Sequence, residues 1–323
     1  MVDSAKIDKL HEEYQYINLL KEIIDRGHWT EGRNGRTKSI FGHSMRFSLQ
    51  GGQIPLLTTK KTAWKTCLKE LLWFLRGETD NKILQAQGVH IWDGNATKEF
   101  VQSRGLGHYP DGILGPIYGY QWLHYNAPYD SETGKPADAK PADAKPANAK
   151  PADADAYANA KPEGINQLQQ IIDALKDPQQ RTSRRLIMTA WNPCQLDLMA
   201  LPPCHILCQF NVHDGNKLSC ALYQRSSDVP LGKPFNIASY SFLTHLLAKH
   251  CGLEAHELVH FSGNCHIYEA HIEPIQAIFG RTPFDFPTLE IIKTRDDIGD
   301  YMVDDFLITN YKCHDVIKMQ MVA

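Results

Sequence analysis

The sequence has no apolar run approaching the roughly 18 residues that a membrane-spanning helix needs, and the opening residues Met1–Lys6 lack the apolar core of a signal peptide. It also has no paired Cys-x-x-Cys units among its eight cysteines, and a chain of 323 residues is too large to need disulfide staples. Its net charge of -3 gives no bulk attraction to nucleic acid or to an anionic membrane. We therefore expect a cytoplasmic protein with reduced thiols, in which local arginines bind any anionic ligand.

Spacing typical of a metal site is lacking as well. His266 and His271 do not have the spacing or the glutamate of a His-Glu-x-x-His site, and Cys265-His266 has no second pair of ligands. We therefore expect no bound metal. At 323 residues the chain is nevertheless long enough to bury a full core, as one large domain or two ordinary ones.

The segment Ala200–His205 contains the strongest candidate for a catalytic group, Cys204. Two prolines directly before it restrict the backbone, so the thiol is presented on a stiff, extended segment. An Asp-Gly pair at 214–215 between two strand patterns predicts a two-residue hairpin turn, and that register places Cys204 opposite Arg225. A guanidinium beside a thiol favours the nucleophilic thiolate. The alternative is a buried structural cysteine that acts as a small hydrophobic residue.

Glu70 is a second candidate, at the head of an apolar run in a helix predicted over residues 66–76. Desolvation in such a run raises the pKa of a carboxyl group and suits it to proton transfer. The alternative is a glutamate near a helix start that only favours the helix dipole.

Three further segments carry local predictions. The polar stretch Gly32–Thr37, with two glycines and two arginines, is either an anion-binding loop or a solvated turn. Asn236 is expected at the N-cap of a long helix that stops at Gly252. Residues 259–261 and 263–268 are expected to form a strand-to-helix turn.

Residues 135–164 differ in composition from the rest of the chain. The unit Lys-Pro-Ala-Asp/Asn-Ala recurs from Lys135 to Ala154, and a degraded copy ends at Pro162. Proline at every fifth position blocks a continuous helix, and alanine gives little surface to bury. We interpret this insertion as a solvated surface loop, with a functional tether as the alternative.

Eight motifs follow one another along the chain. They are Thr58–Lys61, Glu70–Leu75, Ile91–Asp93, Leu114–Gly119, Ser183–Arg185, Leu201–His205, Tyr223–Ser226 and Pro234–Tyr240. In this order they resemble the thymidylate synthase family, and the resemblance covers nearly the whole chain except the repeat. The ensemble is specific, since chance would hardly produce all eight in sequence.

The resemblance implies an α+β (α/β) fold. Residues 1–323 would form a single catalytic domain with a mixed, twisted β-sheet that is covered by helices and packs against its copy in a homodimer. The implied reaction is the reductive methylation of dUMP to dTMP, with 5,10-methylenetetrahydrofolate supplying the one-carbon unit and the hydride and leaving as dihydrofolate. Addition of Cys204 to C6 of uracil would make C5 nucleophilic, which divides a hard step into easier ones.

The resemblance also assigns roles to residues. The catalytic candidates are Cys204, Glu70, Tyr118, Arg225, Asn236 and Asp228. The candidates for binding dUMP are Arg33, Arg225, Ser226, Ser227, Asp228, Asn236, His266 and Tyr268, together with Arg184 and Arg185 from the other subunit. The candidates for binding the folate are Lys60, Ile91, Trp92, Asp228, Leu231, Gly232, Phe235 and Val322. Asn236 offers a donor and an acceptor, which suits the amide edge of uracil.

Several positions depart from the family pattern. Ile113, Leu123 and Asn264 stand where Asp, Arg and Asp are usual, and the Arg33 loop is one residue shorter. The tail at 311–315 lacks the two prolines that the family has there. These changes concern the adjustment of the site and the closure of the tail rather than the reaction class.

Two other functions stay open. A deoxypyrimidine-monophosphate hydroxymethylase would let water meet the exocyclic methylene, but a cytosine-specific relative would carry Asp at position 236, and Trp92 favours methylation. An RNA-binding role is the second alternative. The basic residues are dispersed and form no RNA-binding motif, so this role would be secondary.

Overall fold

The structure, a computed structural model, describes residues 11–32, 34–137 and 164–321. The described residues of 1–68 and 208–323 form one compact unit, and those of 69–207 form a second. A single catalytic domain over 1–323 stays a prediction. Among the helices in the described ranges, none combines the length and the apolar character needed to cross a membrane.

Helices and strands are interspersed along the chain, which confirms the α+β class. The strands in the described ranges are β1 (His28–Gly32), β2 (Gly35–Ser48), β3 (Tyr129–Asp130), β4 (Lys135–Pro136), β5 (Ile187–Thr189), β6 (His205–His213), β7 (Lys217–Asp228), β8 (Glu254–Tyr268), β9 (Thr288–Ile291) and β10 (Phe306–Thr309). The helices are α1 (Tyr14–Arg26), α2 (Trp64–Leu75), α3 (Asn81–Gln85), α4 (Asp93–Ala96), α5 (Lys98–Ser103), α6 (Gly119–His124), α7 (Gln167–Lys176), α8 (Gly232–His250) and α9 (Glu269–Ile275).

Six strands form a mixed sheet in the order β1-β2-β8-β7-β6-β5. β2 pairs with β1 and β8 in antiparallel fashion, whereas β7 and β8 run parallel because α8 connects them as a crossover. Alternate residues of β7, among them Leu218, Cys220 and Leu222, are buried, and α8 packs against β7 and β8. The mixed sheet with helical cover is therefore confirmed, while its packing against a second copy stays a prediction.

Two local predictions in this sheet are wrong. Residues 254–268 form one continuous strand, β8, and the helix α9 begins only after Tyr268. The hairpin between β6 and β7 has three turn residues at 214–216 rather than two, and Asp214 and Gly215 both have positive φ angles. The longer turn removes the register on which the pairing of Cys204 with Arg225 was based. That pairing stays a prediction.

β1 and β2 form a tight hairpin at the segment that the sequence suggested as a loop. Gly32 pairs with Gly35, whose φ of 112° is accessible mainly to glycine. Gly32 ends β1, and Gly35 to Thr37 belong to β2. Arg33 itself lies outside the described residues.

Two glycines in the Leu114–Gly119 motif allow close contacts within the 69–207 unit. A Cβ atom at Gly115 would lie 2.0 Å from the carbonyl oxygen of Leu198, and one at Gly119 would lie 2.0 Å from that of Phe74. Only glycine fits at such distances. The approach at Gly119 brings the preceding residue, Tyr118, against the ring of Phe74.

The base of the repeat insertion is paired. Tyr125 and Ile165 exchange two backbone hydrogen bonds of 3.0 Å, and β3 pairs with β4. The first two residues of the predicted linker, Lys135 and Pro136, therefore belong to a short strand. The remainder of the insertion from 138 to 163 lies outside the described residues, so its interpretation as a solvated loop stays a prediction.

Candidate active site

Cys204 lies immediately before β6 and is partly exposed. Its backbone N–H donates a hydrogen bond of 2.8 Å to the hydroxyl oxygen of Tyr118. This bond holds the main chain at the cysteine without engaging the sulfur. The partial exposure argues against the alternative of a structural cysteine sealed in the core.

Tyr118 is held in an aromatic cluster. Its ring stacks on Phe74 with centroids 4.8 Å apart and on His205 with centroids 4.2 Å apart, and Trp92 meets it edge-on at 5.9 Å. The φ of Tyr118 is 31°, an unusual value for a residue with a side chain, so packing must hold this conformation. Burial lowers the pKa of His205 to about 3, which keeps the stacked imidazole neutral.

Glu70 carries the carboxyl group of this cluster. Burial raises its pKa to about 7, and the hydrogen bond of 2.8 Å that it accepts from Nε1 of Trp92 opposes the shift without cancelling it. Glu70 lies in the middle of α2 rather than in its first turn, so the helix-dipole alternative does not apply. The residue keeps partial exposure. The sequence-based expectation of a desolvated carboxyl with a raised pKa is confirmed, and its role in proton transfer stays a prediction.

Asn236 lies inside α8 and not at its N-cap, which corrects the sequence-based prediction. The helix already begins at Gly232, because Pro234 is tolerated in a first turn. The Oδ1 atom of Asn236 accepts a hydrogen bond of 2.9 Å from Nε2 of Gln224. Oε1 of Gln224 in turn lies 2.8 Å from Nε2 of the buried His260. This chain fixes the orientation of the Asn236 amide.

Asp228 ends β7 in a densely packed region. Burial raises the pKa of its carboxyl group, while His271 and Lys60 act in the opposite direction. Burial also lowers the pKa of Lys60 to about 8, and the Lys60 ammonium donates to the carbonyl oxygen of Pro230. Asp228 and Lys60 therefore place a partly desolvated pair of opposite sign on the 1–68 and 208–323 unit.

His266 shows how this chain accommodates Asn264. Nδ1 of His266 lies 2.9 Å from Oδ1 of Asn264, and burial lowers the pKa of His266 to about 4. The neutral ring then donates from Nδ1 and leaves Nε2 as an acceptor. An asparagine oxygen thus suffices to orient the histidine at this position.

The remaining nucleotide candidates differ in exposure. Arg225 and Ser226 of β7 are partly exposed, as is Tyr268 at the end of β8, whereas Ser227 is fully buried. Arg184 and Arg185 are exposed just before β5.

The folate candidates fall in several segments. Trp92 and Lys60 are buried, and Ile91, Leu231, Gly232 and Phe235 are partly exposed. Leu231 directly precedes α8, whose first turn contains Gly232 and Phe235. Val322 lies outside the described residues.

Two departures from the family pattern have structural answers. Ile113 is buried, and its backbone forms an isolated antiparallel β-bridge with Asp80. The tail is held without the two prolines, because the hydroxyl of Tyr311 donates to the carbonyl oxygen of Leu57 at 2.7 Å and His314 N–H donates to that of Thr58 at 2.7 Å. For Leu123, which is partly exposed, the structure gives no further explanation.

Three polar residues near these candidates were missed from the sequence: Gln224, Lys233 and His260. Gln224 lies within a recognised motif, so its neighbourhood was visible, but its tie to Asn236 depends on how β7 and α8 pack. Lys233 and His260 are fully buried, which their residue types do not suggest. In the described ranges, no group of three His, Cys, Asp or Glu side chains could hold a metal ion.

Within the 69–207 unit, a partly exposed thiol on a fixed backbone and a desolvated carboxyl are the groups that an enzyme acting by nucleophilic catalysis and proton transfer requires. The family model described as Thymidylate synthase matches residues 14–323. The chain is 46% identical over 314 residues to the thymidylate synthase of Human herpesvirus 8 type P (isolate GK18), a match covering 97% of this chain and 85% of that protein. The chain belongs to the thymidylate synthase family.

Further relatives show the same likeness. The chain is 44% identical to the thymidylate synthase of Equine herpesvirus 2 (strain 86/87), with 97% of this chain and 99% of that protein covered. It is also 44% identical to a bifunctional dihydrofolate reductase-thymidylate synthase of Zea mays, of which it spans 55%.

Proposed function

We propose that this protein converts dUMP to dTMP by reductive methylation, with 5,10-methylenetetrahydrofolate as the co-substrate and dihydrofolate as the second product. The observation that supports this most directly is the pairing of a partly exposed Cys204 with Tyr118, in a cluster that also contains a carboxyl group of raised pKa. Family membership over residues 14–323 supports the same reaction. The folate supplies the one-carbon unit and the hydride.

The residues of the chain divide the chemistry among them. The Cys204 thiolate adds to C6 of uracil and makes C5 nucleophilic, and the same C–S bond breaks when the product leaves. Glu70, poised near neutral pH, moves protons together with the hydroxyl of Tyr118. Trp92 stabilises the exocyclic methylene until hydride reaches it. Asn236 reads the amide edge of the base.

The other candidates bind the two small molecules. Arg225, Ser226 and Arg33 bind the phosphate with Arg184 and Arg185 of the second subunit, since guanidinium groups suit phosphate geometry. His266 and Tyr268 hold the deoxyribose, Ser227 lines the nucleotide site and Asp228 contacts nucleotide and folate. Lys60, Ile91, Trp92, Leu231, Gly232, Phe235 and Val322 form the folate side.

A homodimer is part of this proposal. Tyr223 of β7 and Phe261 of β8 are neighbours in register, and both are exposed, at 37% and 45%. Phe41 of β2 is 84% exposed. Such large side chains on adjacent strands are unusual on a surface that stays in water, and a second copy of the sheet would cover them.

Mixing two inactive variants tests the shared site. If each site combines Cys204 of one chain with Arg184 and Arg185 of the other, Cys204→Ser and the double variant Arg184→Ala/Arg185→Ala are each inactive alone. A refolded 1:1 mixture would contain one intact site in each hybrid dimer, so about a quarter of the wild-type activity should return. Sites confined to one chain would give no recovery in the mixture.

The choice of base is tested at Asn236. Asn236→Asp should weaken the preference for dUMP over dCMP by at least about tenfold, because a protonated carboxyl can donate to N3 of cytosine and accept from its amino group, whereas Gln224 fixes the orientation of the Asn236 amide. Competition between the two nucleotides in one reaction measures the ratio of kcat/KM values. An unchanged ratio would remove Asn236 from the role of base reader.

The function itself is tested by supplying both substrates. Purified protein given dUMP and methylenetetrahydrofolate should accumulate dihydrofolate, followed by absorbance, and dTMP, identified by mass. Formation of 5-hydroxymethyl-dUMP instead would establish the hydroxymethylase alternative. Weak, strongly salt-dependent RNA binding without nucleotide turnover would favour the RNA-binding alternative.

We also propose a cytoplasmic location. None of the eight cysteines is in a disulfide, which fits a reducing compartment.

A further inference from the structure

Lys233 is a lysine in an unusual place, the first turn of α8. Its side chain is fully buried, and its ammonium group donates a hydrogen bond of 2.7 Å to the hydroxyl oxygen of Ser262 on β8. Lysine is almost never fully buried without a partner. One neutral hydroxyl is a weak counterpart for a charge that has been removed from water.

The surroundings of Lys233 give it little electrostatic compensation. Cys265 of β8, His43 of β2 and Glu22 of α1 are the titratable groups that interact with this cluster, and His43 pairs with Ser262 across the β2–β8 ladder. Burial and Lys233 together lower the pKa of His43, which favours the neutral imidazole, and a neutral ring gives the ammonium no opposite charge. Burial lowers the pKa of Lys233 itself to about 8.

The position of Lys233 suggests why such a costly residue is present. Asn236 lies three residues later, one turn along α8, and Leu231, Gly232 and Phe235 flank the lysine. Two hydrogen bonds hold this turn against the sheet. Gln224 of β7 donates to Asn236, and Lys233 donates to Ser262 of β8. A hydrophobic side chain could fill the same space. It could not fix the orientation of this turn relative to the sheet, because only a hydrogen bond is directional.

We propose that Lys233 is a positioning residue, which ties the first turn of α8 to Ser262 and so sets the placement of Asn236, at the expense of global stability. This inference rests on the proposed function for its effect on turnover. Its structural part, a turn ordered by the Lys233–Ser262 bond, is independent of the reaction.

Lys233→Met separates the effect of Lys233 on global stability from its effect on the position of Asn236, because methionine is apolar and close to lysine in volume. The free energy of unfolding should rise at pH 7, since a buried charge is removed. The lysine binds its proton more weakly in the folded chain than in the unfolded chain, so the wild type becomes more stable as the pH rises from about 8 towards 10.5. The gain in Tm should therefore be largest below pH 8 and shrink across that window.

In Lys233→Met, the position of Asn236 should become less well fixed while the stability of the protein rises. Amide hydrogen exchange at residues 232–238 should become faster, and kcat/KM for dUMP should fall about tenfold, mainly through KM, because the base reader is held less firmly. Lys249→Met, which replaces an exposed lysine in the last turn of the same helix, is the matched control and should change none of these readouts.

A double-mutant cycle completes the test. Ser262→Ala alone leaves the ammonium without its acceptor and should lower Tm, whereas Lys233→Met/Ser262→Ala should recover Tm but keep the faster exchange. Unchanged or slower exchange at 232–238 in Lys233→Met, or an unchanged kcat/KM, would overturn the proposal. Absence of dTMP formation by the wild type would instead overturn the proposed function, and exchange and Tm would still decide the role of Lys233.

Discussion

Cys204→Ser is expected to lower dTMP formation by at least about 10⁴-fold, because the whole reaction passes through the thiolate and a hydroxyl cannot replace it at neutral pH. The variant should fold normally. The hydrogen bond to Tyr118 uses the backbone N–H of residue 204, so replacing the sulfur does not remove it. Release of dihydrofolate measures the loss.

The matched control is Cys194→Ser, an exposed cysteine of the same 69–207 unit. It should leave turnover and Tm unchanged. A mass adduct between dUMP and the wild-type chain, absent from Cys204→Ser, would locate the covalent bond. Retention of more than a small fraction of activity by Cys204→Ser would refute covalent catalysis at this residue.

Glu70→Gln is expected to reduce kcat by about 10²- to 10⁴-fold, since the amide can donate a hydrogen bond but cannot exchange a proton. The pH profile gives the sharper evidence. Burial places the pKa of Glu70 at about 7, so the wild type should show a limb near that pH, and the variant should lack it. Trp92→Phe removes the bond that favours the charged form and should move the limb to higher pH.

Stability provides an independent check on Glu70. The carboxyl holds its proton more tightly in the folded chain than in the unfolded chain, so the stability it confers is complete below about pH 4.5 and declines as the pH rises through about 7. Glu70→Gln should therefore differ little from wild type in Tm at low pH and exceed it above pH 7. A Tm difference between Glu70→Gln and the wild type that is the same at all pH values would contradict the raised pKa of Glu70.

The sequence was most informative where local chemistry acts alone. The diproline before Cys204 predicts a stiff presentation, and the apolar run after Glu70 predicts desolvation, because both effects arise within a few residues of the group concerned. The close approaches at Gly115 and Gly119 were not predicted, because only the structure identifies Leu198 and Phe74 as the opposing residues.

The failures have a common physical origin in longer-range packing. Asn236 has the side chain of an N-cap, but the helix extends one turn further towards Gly232 and Gln224 binds the amide instead. The hairpin at 214–216 gains a residue that no pattern of alternation reveals. From the sequence alone, Lys233 would be expected to be solvated. Its burial depends on Ser262 of β8, which accepts the hydrogen bond of its ammonium group.

The pairing of Tyr125 with Ile165 has a consequence for how this gene can change. Because the bridge pairs the two ends of the segment, adding five-residue units to a solvated loop, which is what we predict for this insertion, changes the closure entropy only logarithmically with loop length. Doubling the insertion would cost about 0.6 kcal/mol, which is small beside a typical unfolding free energy of about 5–15 kcal/mol. Copy-number drift in this tract is therefore nearly invisible to selection on folding, and natural isolates should differ there more freely than anywhere else in the chain.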